Sequence, residues 1–244
     1  MKHNNFRRRS GNLNRTRLLI CIISIFFLLS FTVSSQELVT ALSFFERVSE
    51  HYGEIFDYVA GITITQGSGD SETASKGVIY YKSPNLLRID FTEPKEQVIC
   101  VTGEDLMIYL PTQVVVMTQK LKRHSDATLA SMASSQGLDL LEKGYSIGYL
   151  DGPDPVPLED GSNEMVTKLK LEWRTTEQGF RQIEMSIGKD NTIRRMKAVT
   201  PEMEEVQFDF TEIVTNQNIP DVRFEYEAPA SAYEIKNFLF EPEG

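Results

Sequence analysis

The chain has 244 residues, 41% of them hydrophobic, and its 25 basic and 35 acidic side chains give a formal net charge of −10. This length is enough for one large domain with a substantial core. The acidic balance repels phosphate backbones, so it argues against nucleic acid as a partner. With two cysteines in all, the fold cannot depend on a disulfide framework.

The first 35 residues predict a cleavable secretory signal peptide. They hold six basic residues and no acidic one, and an apolar run over 18–33 follows the last basic residue. Val33-Ser34-Ser35 supplies small residues for cleavage, which makes Gln36 the expected mature N-terminus. The alternative is an uncleaved membrane anchor, because the run approaches the roughly 20 residues that a span needs. Cleavage would leave 19 basic and 35 acidic residues, and Cys100 as the sole thiol.

An amphipathic helix of about five turns is predicted next. Apolar side chains recur there at three- and four-residue steps with polar residues between them, at Leu38, Val39, Leu42, Phe45, Val48, Tyr52 and Ile55. Such a helix is long enough to flank or plug a sheet.

Most of the remaining chain alternates apolar and polar residues, the pattern of strands with one buried face. The clearest example is the segment Lys168 to Arg174. Turn signals such as Ser83-Pro84-Asn85 separate the segments, so consecutive strands should form an antiparallel meander. The predicted strands cover 58–65, 75–82, 86–92, 97–102, 105–110, 167–174, 180–187, 192–199, 205–214 and 223–227.

The hydrophobic periodicity of the sequence changes after Met117. Residues 126–135 place Leu129 and Met132 on one helical side, and 138–142 could add a second short helical turn. Residues 151–163 are rich in Pro, Gly and acid and predict an exposed excursion. The sequence therefore predicts a mainly β (α+β) fold, with one exported domain over 36–244.

The sequence contains one motif that could indicate catalysis, but the residues around it do not support that function. Gly144 to Gly148 matches the Gly-x-Ser-x-Gly motif, which would make Ser146 a nucleophile on a turn into a helix. The residues after it cannot propagate a helix, and the last histidine, His124, precedes the serine instead of following it. We therefore interpret the pattern as a strand with glycine at both ends. His51, His124 and Cys100 are too far apart in sequence to suggest a metal site, so we expect no enzyme and no cofactor.

One stretch carries a family resemblance. Residues 76–91, Lys-Gly-Val-Ile-Tyr-Tyr-Lys-Ser-Pro-Asn-Leu-Leu-Arg-Ile-Asp-Phe, are followed by Pro94, Gln97-Val98-Ile99, Gly103 and Tyr109. This order resembles the LolA family of periplasmic lipoprotein carriers. The similarity extends to the preceding helix with Phe44-Phe45, to the mid-chain helical insert, and to Asn216 and Asn218 ahead of Pro220. The stretch Ala228 to Ser231 departs from the family's usual ending.

The resemblance implies an incomplete antiparallel β-barrel whose concave apolar face is covered by an N-terminal helix and mid-chain lid helices. Arg88 matches a family arginine that tethers the lid, and alternation places it on the face opposite Leu87, Ile89 and Phe91; a solvent-exposed strand arginine is the alternative. Residues suited to refilling an empty cavity are Leu129, Met132, Leu138 and Leu141. Cavity-lining candidates, each alternating with polar neighbours, are Leu169, Leu171, Trp173, Met185, Ile187, Phe208 and Phe210, although a strand's in-or-out assignment could be reversed.

The expected function is that of a monomeric, non-enzymatic periplasmic carrier. Such carriers take the acyl chains of lipid-modified proteins from an inner-membrane lipoprotein-releasing transporter and pass them to an outer-membrane acceptor. Each buried CH₂ is worth about 0.8 kcal/mol, so a sixteen-carbon chain could gain roughly 10 kcal/mol before binding costs. Two alternatives stay open: an envelope lipid- or glycolipid-binding or stress-sensing protein on the same fold, and a secreted serine hydrolase using Ser146.

Overall fold

The computed structural model describes residues 39–67, 71–103, 105–120, 134–176 and 179–238, all of which belong to one unit that spans residues 39–244. Within them lie two α-helices and thirteen strands. The helices are α1 (Ala41–Gly53) and α2 (Ser135–Gly144). The strands are β1 (Asp57–Gln66), β2 (Thr73–Lys82), β3 (Leu86–Glu93), β4 (Val98–Thr102), β5 (Asp105–Leu110), β6 (Val115–Lys120), β7 (Tyr145–Tyr149), β8 (Val156–Pro157), β9 (Met165–Trp173), β10 (Gln182–Gly188), β11 (Ile193–Val199), β12 (Glu205–Thr215) and β13 (Tyr233–Lys236).

The described strands form one sheet that does not close. Its order is β13-β6-β5-β4-β3-β2-β1-β12-β11-β10-β9-β7, with β8 paired to β9 beside this path. Neighbours are antiparallel except β13, which runs parallel to β6. The end strands, β13 and β7, do not pair with each other. The predicted incomplete antiparallel barrel is therefore confirmed.

The predicted strands agree with nine observed ones to within two residues at each end, and the tenth is wrong. Residues 223–227 do not form a strand, because a 3₁₀ turn over Asp221–Phe224 follows Pro220, and an irregular segment with a turn, in which the Ala232 N–H donates to the Pro229 carbonyl, then leads to β13. The short strands β6, β8 and β13 were not predicted. The predicted five-turn helix is shorter, since α1 begins after the Thr40 cap, whose Oγ1 accepts from the Ser43 N–H at 3.1 Å, and it ends at Gly53.

The core lies on one face of the sheet, here called the inner face. Phe45, Val48 and Tyr52 from α1 and Leu138 and Leu141 from α2 join it. The two helices pack against each other and against β7. Among the described residues, no helix is both long and apolar enough to cross a membrane.

Candidate functional site

A ladder of isoleucines runs across the inner face of four neighbouring strands. Ile79 on β2 lies opposite Ile89 on β3, which lies opposite Ile99 on β4, which lies opposite Ile108 on β5. Because period-two alternation fixes which side chains share a face, this register produces one continuous apolar strip. Ile79 and Ile89 are buried, whereas Ile99 and Ile108 are only half-buried.

The half-buried end of this ladder borders a cavity of about 740 Å³. That volume is within the roughly 300–1,000 Å³ usual for ligand pockets. Nine apolar side chains line it: Ile64, Ile89, Ile99, Leu106, Ile108, Phe180, Met203, Val206 and Phe208. Polar and glycine residues complete the lining: Gln66, Gly67, Ser71, Thr73, Thr200, Glu204 and Glu205.

The sheet must curve to enclose this cavity. Ile108 on β5 and Phe208 on β12 border the same space, although five strand steps separate their strands in the sheet. A flat sheet would place those strands about 24 Å apart, while a sphere of the cavity's volume is only about 11 Å across. The inner face is therefore concave, and the outer face is convex.

The other half of the inner face is filled. Leu169, Leu171, Met185 and Ile187 on β9 and β10 are 0–1% exposed and pack in one cluster with the apolar side chains of both helices. Polar contacts at both ends of α1 and to α2 fix the helix there. The Tyr149 hydroxyl of β7 donates to the Val39 carbonyl at 3.1 Å, the Ser49 hydroxyl meets Asp139 of α2 at 3.4 Å, and the Ile193 N–H of β11 donates to the Tyr52 hydroxyl at 3.0 Å.

Stacked tyrosines lie in the same core. The rings of Tyr58 and Tyr81 are 5.2 Å apart, and burial raises the pKa of both hydroxyls above the ordinary value of 10. Burial likewise raises the pKa of Tyr52. The Tyr58 hydroxyl is buried without a hydrogen-bond partner. An unpaired buried hydroxyl costs about 1–3 kcal/mol, so this part of the core is less favourable than its apolar packing suggests.

The exposed rim of the cavity is formed by two hairpin ends. Gln66, Gly67, Ser71 and Thr73 lie at the ends of β1 and β2, and Thr200 to Glu205 joins β11 to β12. Met203 at the second hairpin is 64% exposed, and the Arg181 guanidinium reaches its sulfur at 2.8 Å. An exposed methionine beside an apolar cavity can adapt to ligands of different shape, because its side chain is flexible and polarizable.

The structure places all seven predicted cavity residues on the inner face, but only Phe208 borders the cavity. Leu169, Leu171, Met185 and Ile187 lie in the filled half; Phe210 is buried in the same cluster, and Trp173 packs at its margin. Most of the missed apolar lining residues carry the same alternation signal in β1, β3, β4, β5 and β12, whereas Phe180 and Met203 lie between strands. Alternation identifies the face of each strand, but it does not show which strands the helices cover.

The predicted lid falls partly outside the described residues. Leu138 and Leu141 are buried on α2, whose first turn is capped by the Ser134 hydroxyl accepting from the Gly137 N–H at 3.1 Å. Leu129 and Met132 lie in 121–133, which the structure does not describe.

The structure places Arg88 on the outer face of β3, opposite Leu87, Ile89 and Phe91. Its described hydrogen bonds go to the C-terminal segment and to Asp90, and the predicted tether to the lid stays a prediction, because 121–133 lie outside the described residues. Its guanidinium donates to the Arg223 carbonyl at 3.1 Å, to the Glu225 carbonyl at 2.8 Å and to Asp90 at 2.7 Å. The sequence could not reveal the two carbonyl partners, because 135 or more residues separate Arg88 from them along the chain.

The structure places Ser146 in a strand and not on a turn that leads into a helix. It lies exposed within β7, with Gly144 ending α2 before it, and no helix follows directly. No group of three or more potential metal ligands occurs among the described residues.

The fold and site thus define an open β-sheet protein with an apolar cavity on its concave face. Residues 63–227 match the family model described as "Outer membrane lipoprotein carrier protein LolA". An outer-membrane lipoprotein carrier protein of Methylibium petroleiphilum is 24% identical over 170 residues, which cover 70% of this chain and 77% of the relative. The chain belongs to the LolA family.

The fold is shared with a solved structure. An uncharacterized conserved protein of Thermus thermophilus is similar with a TM-score of 0.50 and 15% identity, over 80% of this chain and 98% of that one. The LolA superfamily protein NE2245 of Nitrosomonas europaea is similar with a TM-score of 0.42 and 13% identity, over 77% of this chain and 98% of that one.

Proposed function

We propose that this protein is a periplasmic carrier that shields the acyl chains of lipid-modified proteins in its concave cavity. The observation that carries the proposal is the cavity of about 740 Å³, bordered by apolar side chains from β1, β3, β4, β5 and β12. Hydrocarbon gains free energy simply by leaving water, so such a wall needs no catalytic group to bind it. Membership of the LolA family supports the same role.

The division of the inner face into a filled and an open half suits a carrier that must release its cargo. In the filled half, α1 and α2 already supply the apolar contacts that a ligand would make, so the ligand gains contact only in the open half. Residues 121–133 connect β6, which flanks the open half at β5, to α2 in the filled half. We propose that this connection and α2 together form the lid, with Leu129, Met132, Leu138 and Leu141 as its apolar residues.

The remaining parts of the proposal follow from the family and the sequence. Residues 1–35 direct export and are removed, residues 36–244 form the carrier, and the protein acts as a monomer without a cofactor. It receives cargo from an inner-membrane lipoprotein-releasing transporter and delivers it to an outer-membrane acceptor. The exported charge of about −16 keeps the carrier from adsorbing to anionic lipid surfaces between these encounters.

The test is to identify what the protein carries. It is purified from envelope extracts without detergent, and the bound material is analysed by mass spectrometry of intact complexes. Acylated protein in stoichiometric amounts supports the proposal. Free lipid or glycolipid alone would instead favour an envelope lipid-binding protein on the same fold, and an empty cavity in every preparation would contradict both.

A further inference from the structure

The C-terminal part of the chain crosses the outer face of the sheet from one strand to the next. This segment, residues 216–236, is here called the C-terminal strap. It starts directly after β12, where Asn216 and Asn218 have φ values of 56° and 59°. Asparagine tolerates this left-handed backbone region better than most residues, so the chain can turn sharply out of the sheet there.

The first two strands that the strap crosses are attached to it. On β1, buried Asp57 accepts from the Gln217 N–H at 2.7 Å and the Ile219 N–H at 2.9 Å. On β2, the Lys82 ammonium donates to the Ile219 carbonyl at 2.8 Å and to Asp221 at 2.5 Å. The strap is thus anchored at its first end by charged hydrogen bonds to two neighbouring strands.

The strongest cluster lies on β3. Arg88 holds the strap's carbonyl groups at residues 223 and 225, and Arg223 of the strap reaches back to Asp90 at 2.7 Å. The Arg223 guanidinium also lies 3.9 Å from the centre of the Tyr80 ring. One arginine from the sheet and one from the strap therefore share a single aspartate, and the planar guanidinium group suits such multiple contacts.

The far end of the strap reaches the edge of the sheet. Tyr226 covers Tyr109 of β5 at 5.8 Å between ring centres and packs with Val98 and Cys100 of β4. Strand β13 then pairs with β6 over four residues. The strap therefore spans the outer face from β1 to β6.

The strands under the strap include those that form the cavity wall. Arg88 alternates with Ile89, Cys100 with Ile99, and Tyr109 with Ile108, so each attachment has a cavity residue next to it on the opposite face. The path along the outer face of a curved sheet lengthens as the sheet curls more tightly. A strap fixed at both ends therefore resists further curling, which would close the cavity.

We propose that the C-terminal strap is a brace that keeps the empty cavity open, and that Arg88 is the positioning residue that holds the brace in place. A cavity that is already open binds a ligand without first separating apolar walls, which is how preorganisation raises affinity. The strap itself is independent of the proposed function, whereas its effect on ligand binding rests on that function.

Cys100 provides a native reporter for the strap. It is 2% exposed beneath Tyr226, and burial raises the pKa of its thiol to about 11. Release of the strap exposes it to thiol reagents. The protein is purified from the cell envelope in a Cys21→Ser background, so that Cys100 is the sole thiol whichever N-terminus is retained.

The first measurement is the rate of Cys100 labelling without ligand in Arg88→Gln. A matched control is Arg195→Gln, because Arg195 also pairs with an aspartate on the outer face, at 2.5 Å from Asp209, and its described hydrogen bonds go to Asp209 and Glu159 and not to the strap. Loss of the bonds to the strap should raise the labelling rate about tenfold or more in Arg88→Gln, with little change in Arg195→Gln. Equal rates in the two variants overturn the brace. If Arg88→Gln does not fold, Arg223→Gln is used instead, because it removes the bond from the strap to Asp90. Its Cys100 labelling rate is then compared with that of Arg195→Gln, and equal rates overturn the brace.

The second measurement is the affinity for a fluorescent sixteen-carbon fatty acid. Arg88→Gln should bind it about three- to tenfold more weakly than the wild type, and by linkage the bound probe should slow Cys100 labelling in the wild type. An unchanged affinity in Arg88→Gln overturns the coupling. A wild type that does not bind the probe contradicts the proposed function and the coupling together, while the labelling rates still decide whether the strap is held by Arg88.

Discussion

The two halves of the inner face should respond oppositely to truncation of one aliphatic side chain. Leu171 in the filled half is 0% exposed, so Leu171→Ala should leave an internal void and cost about 2–5 kcal/mol of unfolding free energy. Ile108 already faces the cavity, so Ile108→Ala mainly enlarges an existing space and should cost less than about 1.5 kcal/mol. A ligand in the cavity loses roughly one CH₂ equivalent of contact in Ile108→Ala, which should weaken binding about fourfold.

Both quantities can be measured on the same preparations. Urea unfolding is followed through the single tryptophan, and fatty-acid binding through a fluorescent probe. Leu171→Ala should lose stability and keep its affinity per folded molecule, whereas Ile108→Ala should keep most of its stability and bind more weakly. Equal stability losses, or weaker binding in Leu171→Ala than in Ile108→Ala, would refute the division into a filled and an open half.

Substitutions at Asp57, Gly77, Tyr58 and Ser146 test further parts of the structure. Asp57→Ala leaves two backbone N–H groups without their acceptor and should lower the unfolding free energy by at least about 2 kcal/mol; a loss below about 0.5 kcal/mol contradicts its role. In Gly77→Ala the new Cβ would lie 2.4 Å from the Asp90 carbonyl oxygen, so calorimetry should show destabilisation by about 1–3 kcal/mol, and an unchanged melting temperature argues against that close approach. Because burial raises the pKa of Tyr58, the stability that depends on its neutral hydroxyl should be fully present below about pH 10 and be lost as the pH rises through the folded-state pKa. Urea titrations at about pH 8 and about pH 10.5 should show a lower unfolding free energy at the higher pH. The same difference should be smaller in Tyr58→Phe. Ser146→Ala should leave any ester hydrolysis by the purified protein unchanged, and a loss of hydrolysis would restore the hydrolase alternative.

Local patterns in the sequence predict the strands well because each strand has one buried and one polar face. The alternation over 168–174 locates β9 and its inner side chains, Leu169 and Leu171, without reference to the rest of the fold. The same logic places Arg88 on the outer face of β3. These inferences succeed because the information lies within a few neighbouring residues.

The cavity could not be located in the same way. Ile99 and Leu171 show the same alternation with their neighbours, yet Ile99 borders the cavity and Leu171 is fully buried in the cluster that contains the apolar side chains of the helices. Their difference depends on which strands α1 and α2 cover, and that is set by contacts such as Tyr52 with Ile193, 141 residues apart. The strand prediction for 223–227 is wrong for a related reason, since the conformation of the strap depends on Asp57, Lys82 and Arg88 far upstream.

The most direct test of the carrier account is to ask which face of β12 an acyl chain contacts. A photo-crosslinking amino acid is placed either at Val206, which borders the cavity, or at its neighbour Gln207, which lies on the outer face. Each variant is irradiated in living cells, and adducts are analysed by mass spectrometry. The account predicts acylated protein attached at position 206 and none at 207. Acyl adducts from 207 alone, or equal yields from both positions, would contradict it.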